Sequence, residues 1–454
     1  MKRKPYPAYK LSGVEWLGDV PEHWDIKKIG HATYVKGRIG WQGLTSDEFI
    51  DEGSFCVTGT DFVGGKVNWD TCYHVSEERY QEDPYIHLKE GDLLVTKDGT
   101  IGKTAVVSDL KGKATLNSGI FLTRPMKSLY NTDFMFWVLN SKVFSEFIEI
   151  TKTGTTISHL YQNIFVRFTF PVPPSSEQQA IADFLDAETN RIDMLIGKKQ
   201  RLIELLKEKR TALISRAVTK GLDPTASMKP SGVEWLGDIP EHWDMKKIKY
   251  IKEKTPNSFV DGPFGSNLKT EHFVIDGDVF VIESGFATKG KITEEDLKLI
   301  ETTHFETIKR SSTKADDIII AKIGAYFGLN NILPPISKPA VVSGNSLKLT
   351  VDQSLCSIQF VHFHLLYLKW SGAIDLLANA TAQPALSLGD MNCLSFLVPP
   401  LREQQAITDF LDAETTKIDT LITKVETAIE KLKEYRTALI SAAVTGKIDV
   451  RETV

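Results

Sequence analysis

The sequence has only four cysteines (Cys56, Cys72, Cys356 and Cys393), far apart and without a CxxC pair. A disulfide framework or a zinc knuckle is therefore not expected, and the thiols read as reduced, mostly buried groups of a cytoplasmic protein. No stretch approaches the ~18 consecutive apolar residues that a membrane span needs. The basic, proline-containing start, Met1–Lys10, leads into no apolar run, so it does not read as a signal peptide. Catalytic signatures are equally scarce. "GTIGKT" (Gly99–Thr104) invites a phosphate-loop reading, but the glycine needed five residues before Gly102 is Lys97. His362 and His364 in "VHFHLL" face apart on a helix and have no third ligand at usable spacing. There is no GxSxG, no HExxH and no amino-methylation motif of the (Asp/Asn)-Pro-Pro-aromatic kind. The chain is expected to be non-catalytic, with no metal site and no cofactor of its own.

What the sequence has is repetition. "SGVEWLGDVPEHWDIKK" at Ser12–Lys28 returns as "SGVEWLGDIPEHWDMKK" at Ser231–Lys247, identical at 15 of 17 positions. A second repeat relates Glu177–Thr219 to Glu403–Thr445, with 31 of 43 positions identical. With 42% hydrophobic and 25% charged residues, 454 residues suffice for two ordinary cores. The segments between the repeats, His31–Phe170 and Tyr250–Phe396, have diverged and keep only shared punctuation, such as "GDLLVTKDG" against "DDIIIAKIG". Short β-branched runs ("DLLVT", "TAVVS", "DIIIAK", "PAVVSG") read as strands. Thr132–Glu149 and Ser357–Ala378 read as amphipathic helices, which makes both inserts α+β. Trp16, Trp24, Trp235 and Trp243 are expected to pin each opening repeat to its domain.

The second repeat reads as a long helix of some 42 residues, roughly 60 Å at 1.5 Å per residue. Its apolar residues alternate spacings of three and four, a heptad seam. The seam residues are Ile181, Leu185, Ile192, Leu195, Leu202, Leu206 and Leu213 in the first copy. In the second they are Ile407, Leu411, Ile418, Leu421, Val425, Leu432, Tyr435 and Leu439. Glu177–Gly197 carries five acids and one base, Lys198–Lys220 eight bases and two acids, and the second helix also opens acidic. Each gradient suits its own helix dipole. Antiparallel pairing sets acid against base, so the expected architecture is an antiparallel coiled-coil pair separating two α+β domains in a pseudo-twofold internal repeat. The expected boundaries are 1–172 and 222–398 for the domains, 173–221 and 399–446 for the helices, and a tail at 447–454.

Two variable inserts, each closed by "VPP…EQQAI.DFLDAET..ID.LI" and a long "RTALIS.AVT" helix, resemble the DNA-specificity subunits of type I restriction–modification systems. "KGRIGWQGL" (Lys36–Leu44), "GDLLVTKDGTIGK" (Gly91–Lys103), "DGPFGSNLK" (Asp261–Lys269) and "ATAQPALS" (Ala380–Ser387) are similar to segments of that family's target-recognition domains. The resemblance covers nearly the whole chain. It implies that each insert reads one half of a split target in double-stranded DNA and that the helices act as a spacer. It further implies docking of two methyltransferase subunits, which supply S-adenosylmethionine, and association of restriction subunits, which use ATP and Mg. Polar loop residues suited to base edges are Arg38, Gln42, Lys97, Asp98, Thr100, Lys103, Thr155, Thr156 and His159 in the first insert. In the second they are Ser266, Asn267, Lys269, Lys322, Tyr326, Asn330, Asn345 and Gln383. Charge argues the other way. The inserts hold 14 Lys+Arg against 17 Asp+Glu and 13 against 16, so each is net −3, the wrong sign for a protein that grips phosphates alone. The competing expectation is a coiled-coil scaffold whose inserts bind protein or glycan ligands.

Overall fold

A computed structural model describes residues 4–38, 44–151, 159–265, 267–290, 292–378 and 384–451. They form two compact units, 1–200 with 426–454, and 201–425. The expected domains 1–172 and 222–398 fall within one unit each, and each long helix contributes one part to each unit.

The first unit holds a six-stranded sheet in the order Thr33–Lys36, Ile120–Pro125, Leu93–Thr96, Thr104–Val106, Lys66–Val67, Phe62–Val63. It also holds a three-stranded sheet, Ala114–Leu116, Ser54–Val57, Tyr73–Val75, and two two-stranded ones. Leu93–Thr96 is buried along its whole length, which is why it reads as an unbroken apolar run rather than an alternating one. The helix expected over Thr132–Glu149 is two helices, Thr132–Leu139 and Lys142–Thr151. The chain breaks at Asn140–Ser141, where the Asn140 amide donates to the Thr104 hydroxyl and Ser141 Oγ turns back to the Val138 carbonyl.

The second unit carries two four-stranded sheets. One runs Phe259–Asp261, Ser346–Leu349, Ile318–Ala321, Asn330–Ile332; the other Lys298–Ile300, Val279–Ile282, Ala340–Val342, Ser312–Thr313. Helix Ile358–Trp370 is shorter than the apolar pattern suggests and stops before Gly372, at φ +81°. The two repeated frames close in the same way in each unit. Asp25–Lys28 pairs antiparallel with Thr169–Val172, and Asp244–Lys247 with Ser395–Val398. The opening repeat is thus the strand that fastens the end of its own insert. Trp24 and Trp243 are fully buried beneath it, Trp16 donates to the Thr169 carbonyl (3.1 Å), and Trp235 lies against Tyr367.

The long helices are Ser175–Lys220 and Leu401–Val444, and Gly221 and Gly446 end them in the left-handed conformation. In the first unit Ile181, Leu185 and Ile192 share a core with Leu439, Ile440 and Ala443, and Arg436 reaches Asp193 at 3.1 Å. In the second, Ile214, Ala217 and Val218 share a core with Ile407 and Leu411, and Arg210 reaches Asp419 at 3.2 Å. The first half of one helix meets the second half of the other in each unit, so the pair is antiparallel.

One column of the expected seam is corrected. Leu185, Ile192, Leu206, Leu213, Leu411, Ile418, Val425, Leu432 and Leu439 lie inward or at its edge, but Leu195, Leu202, Leu421 and Tyr435 are exposed. Their inward places belong to the next residue along: Ile196, Ile203, Ile422 and Arg436. A 3–4 alternation can be phased as +3 then +4 or as +4 then +3 from the same heptad column. The structure uses the second, which sends three isoleucines and the Asp193-paired Arg436 inward and leaves leucine and tyrosine outside. Thr189 and Thr415 settle the phase near the helix starts. Both are buried and return their hydroxyls to the carbonyls of Leu185 and Leu411.

Candidate nucleic-acid interface

In both units a matching acid anchors one end of a central strand, and Lys97 or Lys322 stands at the other. Asp92 and Asp317 are buried. Each accepts from the backbone N–H three residues earlier, Lys89 at 2.6 Å and Lys314 at 2.9 Å. Asp92 also takes a two-pronged contact from Arg124, and Asp317 takes the Thr313 hydroxyl. These carboxylates hold turns. At the far end of the strands Lys97 and Lys322 begin the loops, and a matching backbone bond pins a second segment beside each: Leu160 N–H to the Lys97 carbonyl and Leu386 N–H to the Lys322 carbonyl, both 2.9 Å.

In the first unit this pin gathers Lys97, Asp98, Thr100 and Lys103 with His159. His159 Nδ1 contacts the Asp98 carboxylate, and the His159 ring leans on Tyr161 at 4.4 Å. Burial lowers the Lys97 ammonium's pKa, partly offset by Asp98, and its Nζ lies 5.2 Å from the centre of the Phe121 ring. Lys103 Nζ donates to the Gly59 carbonyl at 3.2 Å. Thr100 is exposed and its carbonyl accepts from the Thr96 hydroxyl. In the second unit Lys322 pairs with Asp261 at 2.9 Å, and Arg310 approaches the same carboxylate at 3.2 Å. Burial alone would raise Asp261, but the Lys322 hydrogen bond and charge outweigh it and hold the carboxyl below its ordinary range. Asn345 is exposed and its carbonyl accepts from Lys322 N–H. Tyr326 is exposed on the same loop as Lys322, Lys269 is exposed beside Glu271, and Asn267 is exposed with its carbonyl against His304.

Two candidates are not loop-surface residues. Arg38 is only 1% exposed. Its Nε donates to the Leu116 carbonyl (2.9 Å) and Nη2 to the Thr115 hydroxyl (3.3 Å), so it staples the smaller sheet and its fork is not displayed. Asn330 is buried in its strand, with Oδ1 2.9 Å from His362 Nδ1. Both are buried polar side chains that find some of their partners inside the chain, while Arg38 Nη1 and Asn330 Nδ2 have none among the described residues. Gln42, Thr155, Thr156, Ser266 and Gln383 lie outside the described residues. Sequence reasoning passed over Tyr161, Phe264, Asp261 and Arg310. The missed signal is an aromatic inside a polar, glycine-containing loop: Tyr161 and Phe264 are both well exposed.

The remaining chemistry is structural. Cys56, Cys72 and Cys356 are buried and Cys393 exposed. Among the described residues no group of three or more His, Cys, Asp or Glu could hold a metal ion, and no helix is long and apolar enough to cross a membrane.

Residues 22–205 and 241–431 match the family model described as "Type I restriction modification DNA specificity domain". The chain belongs to this DNA-specificity family. Each matched stretch starts in an opening frame and ends within a long helix, so the two matches divide the helices much as the compact units do. The chain is similar to the type I restriction enzyme MjaVIII specificity subunit of Methanocaldococcus jannaschii, 25% identical over 95% of this chain and 94% of the relative. It is 19% identical to the EcoKI specificity subunit of Escherichia coli, covering 95% and 90%. Its fold is similar to that of a solved chain described under "Structural basis underlying complex assembly and conformational transition of the type I R-M system". The TM-score is 0.72 at 15% identity, covering 94% of this chain and 99% of that one. The HsdS subunit from Thermoanaerobacter tengcongensis has a TM-score of 0.53 at 15% identity, covering 94% and 98%.

Proposed function

We propose that this specificity-family chain reads a bipartite target in double-stranded DNA, one half-site per unit. The observation that carries the reading is the duplicated arrangement at the strand ends: near-identical frames present two different loop clusters, around Lys97–His159 and around Lys322–Asp261. A protein that needs two unrelated readouts in one geometry is served by such a design. The long helices set the spacing between half-sites and dock two methyltransferase subunits, which hold S-adenosylmethionine and methylate adenine. Restriction subunits using ATP and Mg join that complex. The chain itself does no chemistry. Because each insert is net −3, the partners supply much of the grip on phosphate, and the lone chain binds DNA weakly.

The test is modular. A complex with methyltransferase subunits is expressed, and its methylated motif is mapped by adenine-methylation sequencing of host DNA. Grafting a foreign insert into His31–Phe170 changes one half of the motif and leaves the other half and the spacing intact. A graft that altered both halves, or a complex that methylated no defined motif, would defeat the proposal and favour a scaffold that binds protein or glycan.

A further inference from the structure

The loop Gly262–Gly265 of the second unit is seated backbone against backbone. A Cβ on Gly262 would lie 1.9 Å from the Ser343 carbonyl oxygen, and one on Gly344 would lie 2.6 Å from the Pro263 carbonyl oxygen. Only glycines allow this approach. Gly262 N–H donates to the Ser346 carbonyl at 3.1 Å, Asn267 N–H to the Phe264 carbonyl at 2.7 Å, and Pro263 fixes its own φ. On this tight seat stands a phenyl ring, Phe264, that is 70% exposed. Lys322 Nζ lies 5.8 Å from the ring centre, and Asp261, which opens the loop, is neutralised by Lys322 and Arg310.

A single exposed apolar side chain is ordinary on a protein surface. A phenyl held out on a clamped loop, beside cations, at the strand end where the polar candidates gather is not. It has no donor or acceptor with which to read a base edge. What an apolar side chain does against duplex DNA is enter between base pairs and part-unstack them, with neighbouring cations holding the phosphates. We infer that Phe264 is an apolar wedge that enters the duplex at a base step of the half-site read by the second unit. The inference rests on the proposed DNA-reading function. It adds that this half-site is recognised in part through the ease with which one step opens, a property that pyrimidine–purine steps have and A-tracts lack.

The experiment uses the complex with methyltransferase subunits and the motif mapped for the unaltered chain. If that chain yields no motif, the DNA-reading proposal fails, and the wedge fails with it. If a motif appears, duplexes carrying 2-aminopurine at successive positions of each half-site are titrated with the complex. Apart from the target adenines, which the methyltransferase subunits turn out of the stack in both half-sites, fluorescence rises at one step of the second half-site and at none of the first. Phe264→Ala abolishes that rise and weakens binding about tenfold or more, on the scale of a lost aromatic–base contact, whereas Phe264→Leu retains most of both. Ile275→Ala, which removes another exposed apolar side chain of the same unit, changes neither. A motif with no 2-aminopurine signal away from the target adenines, or such a signal that survives Phe264→Ala, overturns the wedge while leaving DNA reading intact. Loss of affinity in Phe264→Ala with no signal in the unaltered chain also overturns it, because the ring then only touches the groove.

Discussion

Replacing Glu177 with alanine, and separately its repeat counterpart Glu403, is expected to give very different results although the two residues occupy the same place in near-identical sequence. Glu177 lies in the first turn of its helix and is 7% exposed. It accepts from Trp24 Nε1 (2.9 Å), the Tyr6 hydroxyl (3.1 Å) and His23 Nε2 (2.8 Å), and Arg451 Nη1 lies 3.4 Å away. Removing the carboxylate leaves the buried indole N–H and the buried phenol without an acceptor. Each costs about 1–3 kcal/mol. The half-exposed His23 and Arg451 contacts add little, so the total is roughly 3–5 kcal/mol. Glu403 has one such contact, to the largely exposed His242 at 2.8 Å, and Trp243 Nε1 has no hydrogen-bond partner among the described residues. Its loss is expected to cost under about 1 kcal/mol. Hydrogen exchange followed peptide by peptide reads each unit in one sample. Glu177→Ala should speed exchange in Tyr9–Leu11, Asp19–Pro21 and the 447–451 segment by about a hundredfold or more, with the second unit unchanged. Glu403→Ala should leave Met228–Pro230 and Asp238–Pro240 close to their original protection. Equal effects from the two substitutions would refute the reasoning, since it rests on the additional partners that only the first unit assembles.

Ile429→Asp should destabilise the chain by roughly 3 kcal/mol by burying an unpaired carboxylate, whereas Tyr435→Asp on the exposed side of the same helix should cost under about 1 kcal/mol; urea denaturation compares them, and the reverse ranking would restore the phase expected from the sequence. His364 is fully buried, neither ring nitrogen has a partner among the described residues, and burial pushes it down from 6.5 to about 3. Its neutral ring favours the fold above about pH 6.5 and that share is lost as pH falls toward 3, at about 1.4 kcal/mol per pH unit; His362, pushed down to about 4 by burial, adds a slope of the same sign, so melting against pH should show a slope for the second unit that His364→Leu reduces by about half and His362→Leu with His364→Leu removes. Arg38→Ala should lower the stability of the first unit by about 2 kcal/mol through the unmet Leu116 carbonyl and Thr115 hydroxyl, seen as lost exchange protection in Ser54–Val57 and Ala114–Leu116, and a change of methylated motif without that loss would return Arg38 to the reading surface.

The repeats, the length and polarity of the helices, their antiparallel pairing and the buried strands around Leu93–Thr96 and Ile318–Ala321 were legible from the chain alone. Each is a local or periodic property: a helix declares itself by spacing and charge, and a strand buried on both faces by a continuous apolar run. The seam's second column was not legible, because +3/+4 and +4/+3 phasing place equally apolar residues in line. Only burial in the folded chain distinguishes Ile203, half-buried, from the exposed Leu202. Arg38 and Asn330 were misplaced for a related reason: a polar residue in a loop-like stretch looks the same whether its partner is water or a distant carbonyl such as that of Leu116. The Glu177 and Glu403 pair marks the boundary most plainly. The sequence around them is the same, so sequence alone assigns them one role. Tertiary structure separates them, because Tyr6 and Arg451, from opposite ends of the chain, converge on Glu177, and a buried carboxylate is worth only as much as the donors that fold brings to it.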